Sequence, residues 1–253
     1  MGMEELELQV IEDNTMEYLA LFNAIDKHLD KVLGVDIFLP FNEKVKRLAH
    51  GTYTISWFVK IHQYQLKYFG ELRNHITHGI KQHGHTMAYP SSYAIKKLQH
   101  FRDAILEPPR AIDVFAKKVY VCRDTDIFTD VLYTMHEHGY THVPVYDGRN
   151  HFVGVLTEWL VLQWLAEHVS SSGTVSIDGA IIKELPLKYN NNDYLFVSKK
   201  KNIYEIDQVF TFRRQEQKRL GAIFVTEHGK STEKILGIVT GGDVALVDTY
   251  VIH

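Results

Sequence analysis

The sequence predicts an α+β fold in which an N-terminal all-α helical bundle is followed by two β-α-β-β-α units. In the first 107 residues, apolar residues recur at helical spacing, whereas from residue 108 onward short apolar runs alternate with helical patterns. This second pattern occurs twice, and Pro108-Pro109 separates the two regions as a break. We therefore expect domains at 1–107 and 108–253, the latter divided into units at about 112–170 and 179–253.

Length and composition restrict the class of protein. A chain of 253 residues that is 45% hydrophobic can bury one or two ordinary cores. The net charge of −3 selects no class of partner. The single cysteine, Cys122, cannot form an internal disulfide, which favours a reducing compartment. Because the sequence shows neither a signal-peptide pattern nor a run of about 18 apolar residues, we expect a soluble, cytoplasmic protein without a membrane partner.

Four helical patterns make up the predicted bundle. The first carries an apolar stripe with spacings of 4, 3, 4 and 3 residues, which is typical of an amphipathic helix: Tyr18, Phe22, Ile25, Leu29 and Val32. A short helix carrying Val45 and Leu48 follows. The third is predicted as one long helix from Thr52 or Thr54 through Gly70 to His78, ended by Gly79. The last helix begins at Pro90-Ser91-Ser92.

The strongest sequence signal is a duplicated segment. Gly237-Ile238-Val239-Thr240 is followed by Gly241-Gly242-Asp243, and Gly154-Val155-Leu156-Thr157-Glu158-Trp159-Leu160 repeats the plan 83 positions earlier. A buried strand that runs into a helix N-terminus presents unpaired backbone N–H groups to an anion. The two glycines would let a phosphate approach the backbone, while Thr240 and Asp243 offer a hydroxyl and a carboxylate. The alternative is a capping box in which Asp243 only binds the N–H of Thr240.

The tandem units resemble a pair of cystathionine-β-synthase (CBS) domains over about residues 108–253. The resemblance rests on the strand His142-Val143-Pro144-Val145 and on the two strand ends of the form Gly-x-x-Thr. The resemblance implies that clefts between the units bind an adenine-containing ligand such as AMP, ATP, S-adenosylmethionine or cyclic di-AMP. It also implies that Asp243 holds the ribose hydroxyls and that Thr240 faces the phosphate. In the first unit Leu160 replaces the family's aspartate, so Thr157 marks a weaker second site. No other cofactor is required.

A second motif, Arg73-Asn74-His75-Ile76-Thr77-His78-Gly79, lies near the end of the long helix. Helical spacing places Asn74 and His78 on one face with Arg73 beside them. A histidine that carries protons near neutrality and an arginine that neutralises a phosphorane suit RNA cleavage. The motif resembles that of the HEPN family (higher eukaryotes and prokaryotes nucleotide-binding), which implies a homodimer and a metal-independent ribonuclease with Arg73, Asn74 and His78 as its catalytic residues.

Structural roles compete with these assignments. Asn74 and His78 could tie helix ends together by hydrogen bonds, and His83 and His85 are better explained as loop histidines than as metal ligands. The basic stretch from Phe41 to Arg102 could bind a phosphate backbone or could pack against the acidic segment before it. Trp159 and Trp164, with Leu160 and Leu165, are predicted to form a packing surface that is also a candidate for dimer contact.

Three functions remain open from the sequence. The first is a regulatory protein whose CBS pair binds an adenine nucleotide and modulates the helical domain. The second is a nucleotide-regulated, metal-independent ribonuclease acting on RNA. The third is a non-catalytic scaffold that dimerises or docks a partner.

Overall fold

A computed structural model describes residues 3–79, 81–82, 85–86, 88–187, 194–216, 220–245 and 247 of the chain. It is a mixed α+β protein in which a helical region is followed by strands and helices. The chain divides into two compact units. Unit 1 comprises Met1–Pro109 and Asn202–Gln208, and unit 2 comprises Arg110–Lys201 and Val209–Asp248. Unit 1 is therefore discontinuous in sequence.

Unit 1 is built from five helices and a small hairpin among its described residues. The helices are α1 (Met3–Leu33), α2 (Phe41–His50), α3 (Ser56–Ile61), α4 (Gln63–His78) and α5 (Ser92–Leu106); the antiparallel hairpin pairs β1 (Lys81–Gln82) with β2 (His85–Thr86). Ser91 caps α5 by accepting a hydrogen bond from the N–H of Ala94 at 3.2 Å. The predicted stripe on α1 is confirmed for its central positions, since Tyr18, Phe22, Ile25 and Leu29 are all buried.

Two predictions for unit 1 are wrong. The single long helix to His78 is two helices, because the chain leaves helical geometry at His62. The imidazole of His62 is buried with its ring centroid 4.5 Å from that of Phe58 and 4.7 Å from that of Phe101, and this packing favours the break. The region before residue 108 is also not wholly helical, because of the β1–β2 hairpin.

A buried lysine joins the acidic and basic parts of unit 1. The side chain of Lys44 on α2 is only 3% exposed, and its Nζ donates hydrogen bonds of 2.7 Å to Asp26 and to Asp30 on α1. Because a buried charge requires partners, these two carboxylates allow Lys44 to lie inside the bundle. Through Lys44, the basic stretch therefore packs against the acidic one.

The first half of unit 2 is a three-stranded sheet with helices. Its elements are α6 (Ala111–Phe115), β3 (Cys122–Arg123), α7 (Phe128–His138), β4 (His142–Tyr146), β5 (Phe152–Thr157), α8 (Glu158–Glu167) and a 3-10 turn (Ile182–Glu184). Strand β4 lies in the middle of the sheet, parallel to β3 and antiparallel to β5. Helix α7 ends at Gly139, and the φ of +64° there is one that glycine adopts without strain.

The second half of unit 2 repeats this sheet. Its elements are β6 (Tyr194–Ser198), α9 (Ile203–Gln215), β7 (Ala222–Thr226) and β8 (Gly237–Thr240), with β7 parallel to β6 and antiparallel to β8. After Thr240 the chain forms a turn, and residues 244–245 are helical. The spacing of Val244, Val247 and Val251 in the sequence predicts a closing helix here, most of which lies outside the described residues.

The first turn of α9 belongs to unit 1. The ring of Tyr204 is fully buried there, stacked on Trp57 with a centroid distance of 5.7 Å and packed 5.4 Å from Phe58. Ile203 and Ile206 are also buried. This segment therefore supplies apolar side chains to a core whose other members come from the first 109 residues.

Among the described residues, none of the helices combines the length and the apolar character needed to cross a bilayer.

Candidate functional site

The Thr240 and Asp243 side chains form one hydrogen-bonded group at the end of β8. The Asp243 Oδ2 atom accepts hydrogen bonds from the N–H and the hydroxyl of Thr240, both at 2.8 Å, and the N–H of Asp243 donates to the Thr240 carbonyl at 3.0 Å. The contact from the Thr240 N–H is the one expected of a capping box. Since this group uses Oδ2, the other carboxylate oxygen of Asp243 is left for further contacts.

A lysine from the start of unit 2 approaches this second oxygen. Lys117 Nζ lies 3.4 Å from Asp243 Oδ1. Burial acts to raise the pKa of Asp243, but the Thr240 hydrogen bonds and the Lys117 ammonium outweigh it, so the pKa lies below that of an ordinary aspartate. The carboxylate is consequently ionised at neutral pH and can accept hydrogen bonds from hydroxyl groups.

Asp243 and Lys117 line a cavity of about 350 Å³ in unit 2. Four groups that carry or can gain positive charge surround it, namely Lys117, Lys118, His138 and His142, whereas Asp243 is the one carboxylate among the lining residues that the structure describes. The remaining lining residues are Val119, Tyr120, Gly139, Tyr140, Thr141, Ile238 and Thr240. The Tyr120 and Tyr140 rings stack at 5.7 Å with an interplanar angle of 12°. A cavity with this charge balance suits an anionic ligand that carries hydroxyl groups.

The predicted glycines lie beside this cavity. Gly241 and Gly242 are exposed and are absent from its described lining. Thr240 and Asp243 are therefore the two predicted ligand-binding residues that the structure brings to the cavity. Lys117, Lys118, His138 and His142 were missed, because only the fold brings residues from these separate segments together.

The first copy of the duplicated segment has a different arrangement. Thr157 is the N-cap of α8, and its hydroxyl oxygen accepts a hydrogen bond of 3.2 Å from the N–H of Leu160. Leu160 packs against the core of unit 2. Thr157 thus acts as a helix cap and has no carboxylate partner at the position equivalent to Asp243. On the same helix Trp164 is buried, whereas Trp159 is exposed, so the two tryptophans do not share one packing surface.

The three motif residues of unit 1 are also brought together. Arg73 Nη1 donates a hydrogen bond of 3.1 Å to Asn74 Oδ1 and lies 3.4 Å from His78 Nε2. All three residues are near the surface at the end of α4. An arginine and a histidine so arranged can neutralise a phosphate and exchange a proton with it.

Metal binding was considered for the nearby histidines. His83 lies outside the described residues, and only the backbone of His85 is described. Among the side chains that the structure describes, no group of three His, Cys, Asp or Glu residues is arranged to hold a metal ion.

Comparison with known proteins gives one family match. No curated protein matches the chain. Similar solved structures include a CBS domain pair in complex with 5′-methylthioadenosine and S-adenosyl-L-methionine, with 16% identity over 56% of this chain and 97% of that chain and a TM-score of 0.41. They also include CBSX2 from Arabidopsis thaliana (16% identity, 57% and 97%, TM-score 0.40) and CBSX2 in complex with AMP (18% identity, 57% and 99%, TM-score 0.40). Residues 111–167 match the model of the CBS domain family, and the chain therefore contains a CBS domain at that position.

Proposed function

We propose that this chain is a regulatory protein whose tandem CBS units bind an adenine nucleotide in the cavity beside Thr240 and Asp243. The observation that carries the proposal is the ionised Asp243 carboxylate, held by Thr240 and facing Lys117 within the cavity. In this proposal Asp243 accepts hydrogen bonds from the ribose hydroxyls and Thr240 faces the phosphate. The family match supports it, because Lys117, His138 and His142 of the cavity lie within residues 111–167.

The charges around the cavity favour a phosphorylated nucleotide. Lys117 and Lys118 attract phosphate oxygens, and His138 and His142 add to this attraction when protonated. The sulfonium group of S-adenosylmethionine is positive and would be repelled by the same lysines. The volume of about 350 Å³ lies at the lower end of the usual range for ligand pockets, about 300–1,000 Å³. AMP and ATP are accordingly preferred over S-adenosylmethionine and cyclic di-AMP.

Isothermal titration calorimetry with these four ligands tests the proposal. AMP or ATP is expected to bind, and Asp243→Ala should weaken the binding about 10- to 100-fold, because a charge-assisted hydrogen bond contributes about 1.5–3 kcal/mol. The matched control is Asp178→Ala, which removes an exposed carboxylate outside the cavity lining. Absence of binding by all four ligands, or equal binding by the Asp243→Ala variant, would contradict the proposal.

Regulation follows if the nucleotide binds two arrangements of the protein with different affinities. The bound state would then bias the helical region of residues 1–107, which we propose as the output domain. In this proposal residues 108–253 form the sensing domain. The proposed assembly is a homodimer, to which exposed Trp159 and the neighbouring Leu162 offer apolar contact area.

We propose as a second candidate function that unit 1 is a HEPN-like, metal-independent ribonuclease. It is favoured by the 3.4 Å contact between Arg73 and His78 near the surface, with Asn74 hydrogen-bonded to the same guanidinium nitrogen. In this proposal His78 carries the proton of the 2′-hydroxyl or of the leaving oxygen, and Arg73 neutralises the phosphorane. A non-catalytic scaffold is the alternative.

Incubation with a mixed RNA pool without metal separates these two alternatives. The ribonuclease candidate predicts cleavage that falls about 10²–10⁴-fold in His78→Ala, the usual contribution of a general acid or base. His75→Ala, an exposed histidine on the same helix, should cleave as the wild type does. Adding AMP or ATP to half of the samples tests regulation. If the RNA stays intact in every sample, the ribonuclease candidate is rejected and the non-catalytic scaffold is the alternative that remains.

A further inference from the structure

A second cavity, of about 240 Å³, opens in unit 1 beside the Arg73 motif. Helices α1, α2 and α4 and the segment between α1 and α2 form its walls. Its lining residues are Phe22, Asp26, Phe38, Leu39, Pro40, Phe41, Asn42, Gly70, Arg73 and Asn74. Arg73 and Asn74 thus belong both to this cavity and to the group that includes His78. A ligand that contacts Arg73 in the cavity would therefore contact a residue whose Nη1 lies 3.4 Å from His78 Nε2.

One wall of the cavity is aromatic. Phe22 and Phe41 pack with their ring centroids 4.5 Å apart, and Phe22 is buried. Phe38, in contrast, is 91% exposed although it lines the cavity. A phenylalanine left in water beside a cavity offers a flat apolar surface on which another ring can stack.

The lining also includes one carboxylate and one guanidinium group, those of Asp26 and Arg73. Asp26 lines the cavity, and it accepts the hydrogen bond of Lys44 through Oδ1, so that Oδ2 takes no part in that bond. The Nε atom of Arg73 is shielded from solvent and has no hydrogen-bond partner among the residues that the structure describes. Because a shielded atom cannot be reached from the cavity, the part of Arg73 that a ligand can contact is the rest of its guanidinium group, which carries the positive charge.

We propose that this cavity binds one nucleobase of a single-stranded RNA and prefers a base with an exocyclic amino group. Phe38 stacks on the base, Asp26 accepts a hydrogen bond from the amino group, and Arg73 contacts the adjoining phosphate. At about 240 Å³ the cavity is smaller than the usual ligand pocket, which fits a single base. The choice of RNA as the ligand rests on the ribonuclease candidate, but the binding itself requires no cleavage.

Cytosine and uracil make the sharpest comparison. A carboxylate accepts a hydrogen bond from the N4 amino group of cytosine, whereas uracil presents a carbonyl oxygen that repels it. Neither base is adenine, so a nucleic acid made only of cytosine or only of uracil lacks the base of the ligands proposed for the cavity of unit 2. The preference for cytosine over uracil therefore reports on Asp26.

Fluorescence anisotropy with labelled oligocytidine and oligouridine of about ten nucleotides measures this preference. The His78→Ala protein serves as the background, so that the RNA stays intact. We expect oligocytidine to bind about tenfold tighter than oligouridine, and Asp26→Asn to abolish the difference. Phe38→Ala should weaken binding about tenfold, because loss of one stacking partner has an effect of about this size. The matched control, Ile37→Ala, removes a neighbouring exposed apolar side chain outside the cavity lining and should bind normally.

Because Asp26 also binds Lys44, the melting temperature of Asp26→Asn must be compared with that of the background protein. Phe38→Ala keeps the test independent of that contact. Equal affinity for the two oligonucleotides, no binding of either, or undiminished binding by Phe38→Ala would each overturn the proposal. Competition by free CMP at the same concentration as the oligonucleotide would assign the cavity to mononucleotides and overturn its assignment to RNA.

The outcomes also separate this proposal from the ribonuclease candidate. If the wild-type protein leaves RNA intact but binds it in a way that depends on Phe38, the ribonuclease candidate is rejected and the proposed base-binding cavity is supported. Cleavage that depends on His78, without any preference between the oligonucleotides, would reject the cavity and keep the ribonuclease.

Discussion

Replacing Gly237 with alanine is expected to destabilise unit 2 by about 1–3 kcal/mol, the usual cost of overpacking. A Cβ atom at this position would lie 2.4 Å from the backbone carbonyl oxygen of Phe115, and a backbone atom cannot yield as a flexible side chain can. The pairing of Gly237 with Ala116 holds the two segments in contact. Since each kcal/mol changes the melting temperature of a protein of this size by about 2–4 °C, thermal unfolding measures the effect.

The control is Gly148→Ala, because a Cβ atom there meets nothing within 4 Å. It should unfold within about 0.5 kcal/mol of the wild type, as surface substitutions usually do. The Gly237→Ala change should also weaken nucleotide binding, since Phe115 precedes Lys117 by two residues and their displacement moves a cation of the cavity. A melting temperature equal to that of Gly148→Ala would contradict the expected clash.

The Cys122 thiol is expected to react with iodoacetamide about 10³-fold more slowly in the folded protein than in the unfolded chain. Burial, with a smaller contribution from Asp126, raises the pKa of this thiol from 9.0 to about 12. Because the thiolate is the nucleophile, three pKa units reduce the reactive fraction about a thousandfold at any pH below both values. Mass spectrometry of samples alkylated at about pH 8, with and without urea, measures the two rates.

Cys122→Ala is the control for specificity, because it removes the chain's single cysteine and should abolish labelling in both conditions. Labelling of the native protein at the rate of the unfolded chain would show that the strand β3 opens readily. Such a result would contradict the burial of Cys122 beneath β4 and α7 residues of the same core.

The strands of unit 2 were the most predictable part of the fold. The strands His142–Tyr146, Tyr194–Ser198 and Ala222–Thr226 coincide with short apolar runs that have turn residues at their ends, which is the sequence pattern that predicts a strand. β5 and β8 begin one and two residues after the apolar runs His151–Leu156 and Ile235–Val239 that predict them, as is usual for strand ends, where pairing partners decide the register.

The errors in unit 1 have tertiary causes. No local signal ends a helix at His62, and the break coincides with its packing against Phe58 and Phe101, which is 39 residues later in the chain. Similarly, the distribution of charged residues in the sequence distinguishes a basic stretch from an acidic one, but only the structure identifies Lys44 as the buried residue that joins them.

In the candidate sites, too, a contact between residues close in sequence was predictable, whereas contacts between distant residues were not. The pair Thr240 and Asp243 was predictable, because three residues separate them and a strand end fixes their geometry. Lys117 was not, since 126 residues separate it from Asp243. Phe38 was also missed, because a residue between two helices has no periodic pattern that would relate it to Arg73.

The split of unit 1 in sequence has a consequence for folding during synthesis. The ribosome releases residues 1–109 long before Asn202–Gln208, so Trp57 and Phe58 must wait for the ring of Tyr204 until most of unit 2 has been translated. Nascent chains of intermediate length would therefore expose aromatic surface that chaperones recognise. For the same reason, a fragment ending at Pro109 would lack part of its own core and should aggregate more readily than the intact chain.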